Sequence, residues 1–308
     1  MKGKGIVLRI FCLILIASAL PFSIAQATLP EEIPSCYHPL IGRLSEEGFD
    51  LDFLSRLFVD PRAEVRPEVM TISLVSRETR DLYSQFLSPE SILLAKKFLA
   101  ENLKILWEAE RQFQVDKEII VAILLVESRF GENIGRHRVL PTLASMALIN
   151  SEDNLQNNYQ VLREADPELS YQWLVGVAKR RADWAYRELK CFLRIIRDET
   201  MDPLEVKGSY AGALGMAQFL PSSYLTYSLN PKSFEEWLTS RERAMISIAN
   251  YLKLNGWKKN LTVQKKKQVL WTYNHSEPYV ETILQIALKI KPEAYRRSPQ
   301  KKDKAPQK

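Results

Sequence analysis

A mainly α-helical protein is predicted from three observations. Nearly every long segment of the 308-residue chain repeats its apolar residues at spacings near three and four, the period of a helix with one face on a core. Alternating strand patterns are scarce, and Val69–Val75 is the best of them. There is also no internal repeat, and no linker that would separate independent modules.

In chain order, residues 1–27 read as an export signal. Lys2, Lys4 and Arg9 precede an apolar run, Ile10 to Leu20, too short to span a bilayer, and Ala25–Gln26–Ala27 offers a small-residue cleavage site. An uncleaved N-terminal anchor is the alternative. A lipoprotein route fits less well, because Cys12 lies inside the apolar run and Cys36 falls well past the cut. The remaining 281 residues suit one large domain or two closely packed ones. Glu46–Phe58 brings Phe49, Phe53, Leu57 and Phe58 to one side. Pro89–Phe113 reads as one or two helices, with Leu93, Leu94, Phe98, Leu99, Leu103, Leu106 and Trp107 in helical register. Asp116 is placed as the N-cap of a helix running to Arg129, and Gly131 as its stop. Further helices are expected over Trp184–Ile196, Arg243–Leu254 and Val280–Ile290. The stretch from Asn150 to Arg181, rich in asparagine and charge, is expected to be an insertion or lid.

Charge is unevenly spread. Of the formal +6, the signal carries +3 and residues 291–308 carry +5, which leaves −2 on 28–290. The body therefore has no basic field to attract nucleic acid. The tail, with Arg296, Arg297, Lys301 and Lys302, reads as disordered and solvated, with weak adhesion to anionic envelope surfaces as a lesser role. Cys36 and Cys191, the two cysteines past the signal, allow either one disulfide or two buried thiols. His38, His137 and His275 lack metal-ligand spacing, and no G-x-S-x-G elbow supports a serine triad.

Three constellations carry chemistry. Glu127 follows eight residues, Ile119 to Val126, that have no charge and no side-chain hydrogen-bonding group. Apolar surroundings and the negative end of a helix both disfavour a carboxylate's charge, each by about one pKa unit or about 1.4 kcal/mol. A glutamate held protonated in this way is a general acid. Exposure to water, or a salt bridge to Arg129 or Arg136, is the alternative. The second constellation, Lys207 to Tyr224, packs three glycines and three alanines into 208–217, with Ser209, Gln218, Ser222 and Ser223 in or beside that span. It lacks the G-K-[ST] of a phosphate loop, and open backbone beside hydroxyls and amides suits a ligand covered in hydroxyl and acetamido groups. The third, Trp271 to Tyr279 with Asn250–Tyr251 and Gly256–Trp257 before it, sets aromatic rings beside amides, a common grip on sugars. Each aromatic taken singly fits a core position as well.

Together and in this order, these stretches resemble the lytic murein transglycosylase B family, glycosidases of the bacterial cell wall. The family's E-[ST]-x-[FWY]-G block is matched by Glu127 to Gly131, its long glycine block by 208–224, and its Tyr-Asn-x-Ser-x-x-Tyr block by Tyr273 to Tyr279. The likeness covers about 46–290. It implies a lysozyme-like core, similar to goose-type lysozyme and the soluble lytic transglycosylases, with additional helical decoration. The catalytic domain would be 28–290, with an N-terminal helical part of about 28–115 and the core at about 116–290. Glu127 would be the sole acid/base, Ser209 and Gln218 would line the cleft, and Tyr251, Tyr273, Asn274 and Tyr279 would hold the saccharides. The implied reaction cleaves the β-1,4 bond between N-acetylmuramic acid and N-acetylglucosamine without water and leaves a 1,6-anhydro ring. One carboxylate suffices for this, in keeping with the lack of acidic residues in 208–224 and 271–276. The implied partner is the peptidoglycan glycan strand rather than nucleic acid, for a monomer in the periplasm or cell envelope needing no cofactor. A hydrolytic muramidase and a non-catalytic wall-binding protein remain as alternatives. One departure concerns metal. Members often carry a calcium loop, D-x-[DN]-x-[DN]-G, after the P-S-S-Y block, whereas Tyr227 to Trp237 has no closely spaced aspartates and no turn glycine, so no calcium site is expected.

Overall fold

The computed structural model describes residues 30–75, 79–229 and 231–291; the expected export signal and the basic tail beyond Lys291 lie outside the described residues. The first helices are α1 (His38–Glu46), α2 (Leu51–Phe58), α3 (Pro67–Val75), α4 (Arg80–Ser84), α5 (Pro89–Glu101), α6 (Leu103–Phe113) and α7 (Lys117–Ser128). Next come α8 (Val139–Ala147), α9 (Glu152–Ala165), α10 (Tyr171–Ile196) and α11 (Pro221–Tyr227). The last are α12 (Phe234–Thr239), α13 (Arg241–Leu254), α14 (Val263–Tyr273) and α15 (Glu277–Ile290).

The apolar run before Glu127 dictates the arrangement. A helix apolar on all sides is stable only when other helices cover it, and α7 is packed against α5, α6, α13 and α15. Every residue from Ile119 to Leu125 is at most 2% exposed. Burial of each Ile, Val and Leu side chain among them contributes about 1.5–3 kcal/mol, offset by chain entropy. One hydrophobic core runs from Ile33 to Ile290.

Several elements differ from the sequence reading, each for a local reason. Glu46–Phe58 is two helices: Gly48 takes φ 91° after α1, and the Asp50 carboxylate caps α2 by accepting from the Phe53 N–H at 2.7 Å. Pro89–Phe113, read as one or two helices, is two, divided at Asn102. The strand pattern at Val69–Val75 is helix α3, which buries Val69, Met70, Ser73 and Leu74 at helical spacing. Helix α14 was hidden because Lys265, Lys266 and Lys267 interrupt its period and only Val269 and Leu270 are buried. Cys36 is exposed and Cys191 half-buried; both are free, so neither a disulfide nor a pair of buried thiols forms. The stretch from Asn150 to Arg181 forms α9 and the first turns of α10. Its Leu155, Leu162, Leu174 and Ala178 close a small second cluster with Met70 and Leu74 of α3.

A two-stranded antiparallel sheet holds the glycine block against the start of α8. In it β1 (His137–Arg138) pairs with β2 (Lys207–Gly208). Glycine is obligatory here. A Cβ on Gly208 would lie 2.1 Å from the Ala213 carbonyl oxygen, and one on Gly135 would lie 2.0 Å from that of Gly208.

Candidate active site

Helix α7 delivers Glu127 to the edge of the core and then stops abruptly. Arg129 and Phe130 are left-handed (φ 49° and 61°) and Gly131 follows at φ 93°, so the stop falls two residues before the glycine expected to make it. The N–H groups of Arg129 and Phe130 donate to the Leu125 and Leu124 carbonyls at 3.0 and 3.1 Å. Phe130 is held by stacking on Phe98, with centroids 4.1 Å apart and planes at 10°. Arg129 pairs with Glu132 at 2.9 Å. Ser128 ties this turn to the glycine block: its hydroxyl donates to the Met216 carbonyl at 2.7 Å and accepts from the Gly131 N–H at 3.0 Å. At the other end, Asp116 occupies the N-cap position, but its carboxylate accepts from Lys266 Nζ at 2.7 Å instead of capping the helix.

Tyr279 reaches Glu127 across 152 residues of sequence and donates its hydroxyl to Glu127 Oε1 at 2.6 Å. The ring is 1% exposed, positioned by the Ser276 hydroxyl that caps α15 (Tyr279 N–H to Ser276 Oγ, 3.3 Å) and by Tyr83, edge-on at 5.9 Å. Tyr273 lies parallel to Tyr279, with centroids 6.3 Å apart, and donates to the Ala217 carbonyl at 2.6 Å. Burial, and then the nearby Glu127 charge, hold both phenols well above the ordinary tyrosine pKa. Both therefore stay protonated and serve as donors.

The other expected contacts divide into two groups. Tyr273 and Asn274 line a cleft of about 670 Å³. Tyr251 lies behind it, 8% exposed, with its hydroxyl on the Thr272 carbonyl at 2.5 Å and its ring against Tyr273 at 4.8 Å. Ser209 and Gln218 shape the glycine block from within. The Ser209 hydroxyl accepts from the N–H groups of Ala211 and Ala213 at 3.2 and 3.0 Å. Left-handed Gln218 (φ 48°) donates its side-chain amide to the Ile134 and Gly215 carbonyls at 3.2 and 2.8 Å. The buried Glu188 carboxylate fixes the far end of the block by accepting from the Ser222 N–H and hydroxyl at 2.9 and 2.8 Å. Sequence reasoning missed four residues of the cleft lining, Arg181 and Trp184 of α10, Tyr210 and Glu277. Glu277 sits one residue beyond the stretch found free of acidic residues.

The acidic side chains described in and beside the stretch after the P-S-S-Y block have partners within the protein. Glu236 is already engaged, accepting from the Lys232 N–H at 2.7 Å and from Arg243 Nε at 3.2 Å, while Glu199 accepts from the Phe234 N–H at 3.0 Å. These bonds hold the Glu236 carboxyl below its ordinary pKa, the Lys232 N–H contributing most. No group of three or more His, Cys, Asp or Glu side chains suited to a metal is found among the described residues.

Residues 34–269 match the family described as the transglycosylase SLT domain. The membrane-bound lytic murein transglycosylase B of Escherichia coli (strain K12) is 34% identical over 176 residues, which is 57% of this chain and 41% of that protein. The chain thus matches less than half the length of this curated relative. Among solved structures, the soluble lytic transglycosylase SltB1 from Pseudomonas aeruginosa superposes with a TM-score of 0.65 at 22% identity, covering 83% of this chain and 98% of that one. SltB3 from Pseudomonas aeruginosa, in complex with NAG-NAM-pentapeptide, superposes at 0.63 and 18% identity, covering 83% of this chain and 80% of that one. At these identities the structures establish the lysozyme-like fold of lytic transglycosylases. With most of its length matched, the chain belongs to the transglycosylase SLT domain family and is of the lytic murein transglycosylase B-like kind.

Proposed function

We propose that the chain is a peptidoglycan lytic transglycosylase of the cell envelope, with residues 28–290 as its catalytic unit and Glu127 as acid and then base. The observation that carries this reading is the bond from Tyr279 to Glu127, with the Tyr279 ring parallel to Tyr273, which lines a cleft together with Trp184, Tyr210 and Asn274. Glu127 would protonate the glycosidic oxygen between N-acetylmuramic acid and N-acetylglucosamine as the C1–O bond breaks. The substrate's acetamido oxygen would stabilise the positive charge at C1. Glu127, now a carboxylate, would take the proton of the C6 hydroxyl as that oxygen attacks C1 and closes the 1,6-anhydro ring. Intramolecular attack replaces a bound water by effective concentration. Tyr273 and Asn274 would meet the sugar, and buried Tyr251 and Tyr279 would act by holding Tyr273 and Glu127 in place. Ser209 and Gln218 would support the cleft by fixing the backbone that faces it.

Export accords with the N-terminal reading, and no helix among the described residues is long and apolar enough to cross a membrane. Hydrolysis is the second reading, because Glu277 lines the cleft and a hydrolase needs a second carboxylate. Mass spectrometry of products from murein sacculi separates the two, since hydrolysis adds one water and anhydro formation adds none. We expect anhydromuropeptides from the wild-type chain, undiminished in Glu277→Gln. Hydrated products, or loss of turnover in that variant, would overturn the assignment.

A further inference from the structure

The net charge of −2 on residues 28–290 hides an uneven spread, because residues 256–276 hold five lysines and no aspartate or glutamate. The fold gathers most of them at one end. Helices α14 and α15 are joined by only three residues, 274–276, and pack as an antiparallel pair. Their joint lines the cleft, so Val263 and Leu288–Lys291 mark the opposite, open end of the pair. Lys266 Nζ ties that end to Asp116 at the start of α7, at 2.7 Å. A groove of about 1020 Å³ lies there, and Lys104 and Arg111 of α6, Lys259 of the preceding loop and Lys291 all line it.

Little opposes these cations. Of the four carboxylates in the groove lining, Glu110 and Glu118 face Lys117 and Asp116 faces Lys266, which leaves Glu108. Lys258, Lys259 and Lys265 are exposed and enter no ion pair among the described residues. Aliphatic side chains stand beside them: Val263 is 59% exposed, Leu288 62% and Leu103 of α6 40%. A soluble polyanion would neutralise the lysines and leave these side chains in water. A bilayer surface satisfies both, since anionic headgroups attract lysines while aliphatic side chains enter the acyl boundary. We propose that this end of the fold, from α6 to the open end of α14 and α15, rests on an anionic phospholipid membrane. Glu127 lies ten residues along α7 from Lys117, about 15 Å further from that surface. The contact therefore directs the cleft away from the lipid. The proposal stands apart from the cleavage reading, because vesicle binding is measured without turnover.

The test uses the chain from Thr28 to Lys308, which holds the whole described fold and leaves out the apolar run of the expected signal. It is sedimented with vesicles of phosphatidylethanolamine and phosphatidylglycerol, or of phosphatidylcholine alone, at about 0.1 M salt. Saturable binding is expected to the anionic vesicles only. Each lysine near such a surface contributes about fivefold, so Lys258→Glu with Lys259→Glu and Lys265→Glu should weaken binding by about thirtyfold or more. Val263→Ser with Leu288→Ser should weaken it several-fold. Deleting 292–308 should leave binding that the lysine variant still removes. All five substitutions replace exposed side chains, and each variant should unfold at the wild-type Tm. Failure to bind anionic vesicles, equal binding to neutral ones, or binding that depends on the tail and not on the three lysines would overturn the proposal. Equally tight binding of soluble polyphosphate, with the Val263 and Leu288 variant unaffected, would make the face a polyanion site and overturn it too.

Discussion

Helix α7 carries a glutamate near each end, and the two are treated differently. Glu118, at the start, faces the Lys117 ammonium at 3.1 Å; Glu127, at the finish, accepts from the neutral phenol of Tyr279 at 2.6 Å. An ammonium is both donor and counter-ion to the carboxylate it faces. A protonated phenol orients the carboxyl and brings no opposite charge. The first arrangement suits a permanent structural ion pair. The second suits a group that must lose and regain a proton within one turnover. Burial pulls Lys117 down, but Glu118 and Glu110 outweigh it and hold its pKa above the ordinary lysine value.

The contrast can be broken at either end. Glu127→Gln should have the largest effect, a loss of anhydro product release of about 10³-fold or more, with thermal unfolding unchanged; retained turnover would remove the functional half of the comparison. Lys117→Met leaves Glu118 buried without its counter-ion. It should cost about 3 kcal/mol, seen as a Tm lower by roughly 6–12 °C, with turnover per folded molecule intact. Because the Lys117 pKa is raised on folding, its stabilisation is complete below the unfolded value. The Tm gap between wild type and Lys117→Met should therefore be flat from pH 6 to 9 and close only above about pH 10.4. Tyr279→Phe should lower kcat about tenfold, about 1.4 kcal/mol, at unchanged KM, because the ring positions Glu127 and is hidden from the sugar. A KM effect instead would make Tyr279 a saccharide contact. The smallest effect is expected for a chelator: EDTA or added calcium should leave Tm and turnover unchanged, because Glu236 is already bound by Lys232 and Arg243.

Much of this was legible in the sequence, for definable reasons. Glu127 stood out because a carboxylate after eight apolar residues is visible in one dimension, and the glycine block because three glycines and three alanines crowd a short span. The role of Tyr279 was not legible, since nothing in sequence marks a bond across 152 residues or the burial that removes the ring from the cleft. Arg181 was missed in the cleft lining because α10 starts at Tyr171, inside the stretch whose charges masked its period, and Trp184 because an aromatic at helical spacing reads as core. The strand pattern at Val69–Val75 misled because a short apolar run suits either period until its neighbours choose. There α8, α9 and α10 chose helix.

The abrupt left-handed turn at Arg129 and Phe130 also sets what the gene can tolerate. Each residue added to a helix rotates everything beyond it by about 100°. A residue inserted early in α7 would be taken up at the Lys117 end, because Phe130 stacked on Phe98 anchors the finish. A residue inserted between Leu125 and Arg129 would swing the carboxylate away from Tyr279 and the cleft. The permitted insertions and deletions in descendants of this chain should therefore lie toward the start of the helix, and its last turn should keep its length.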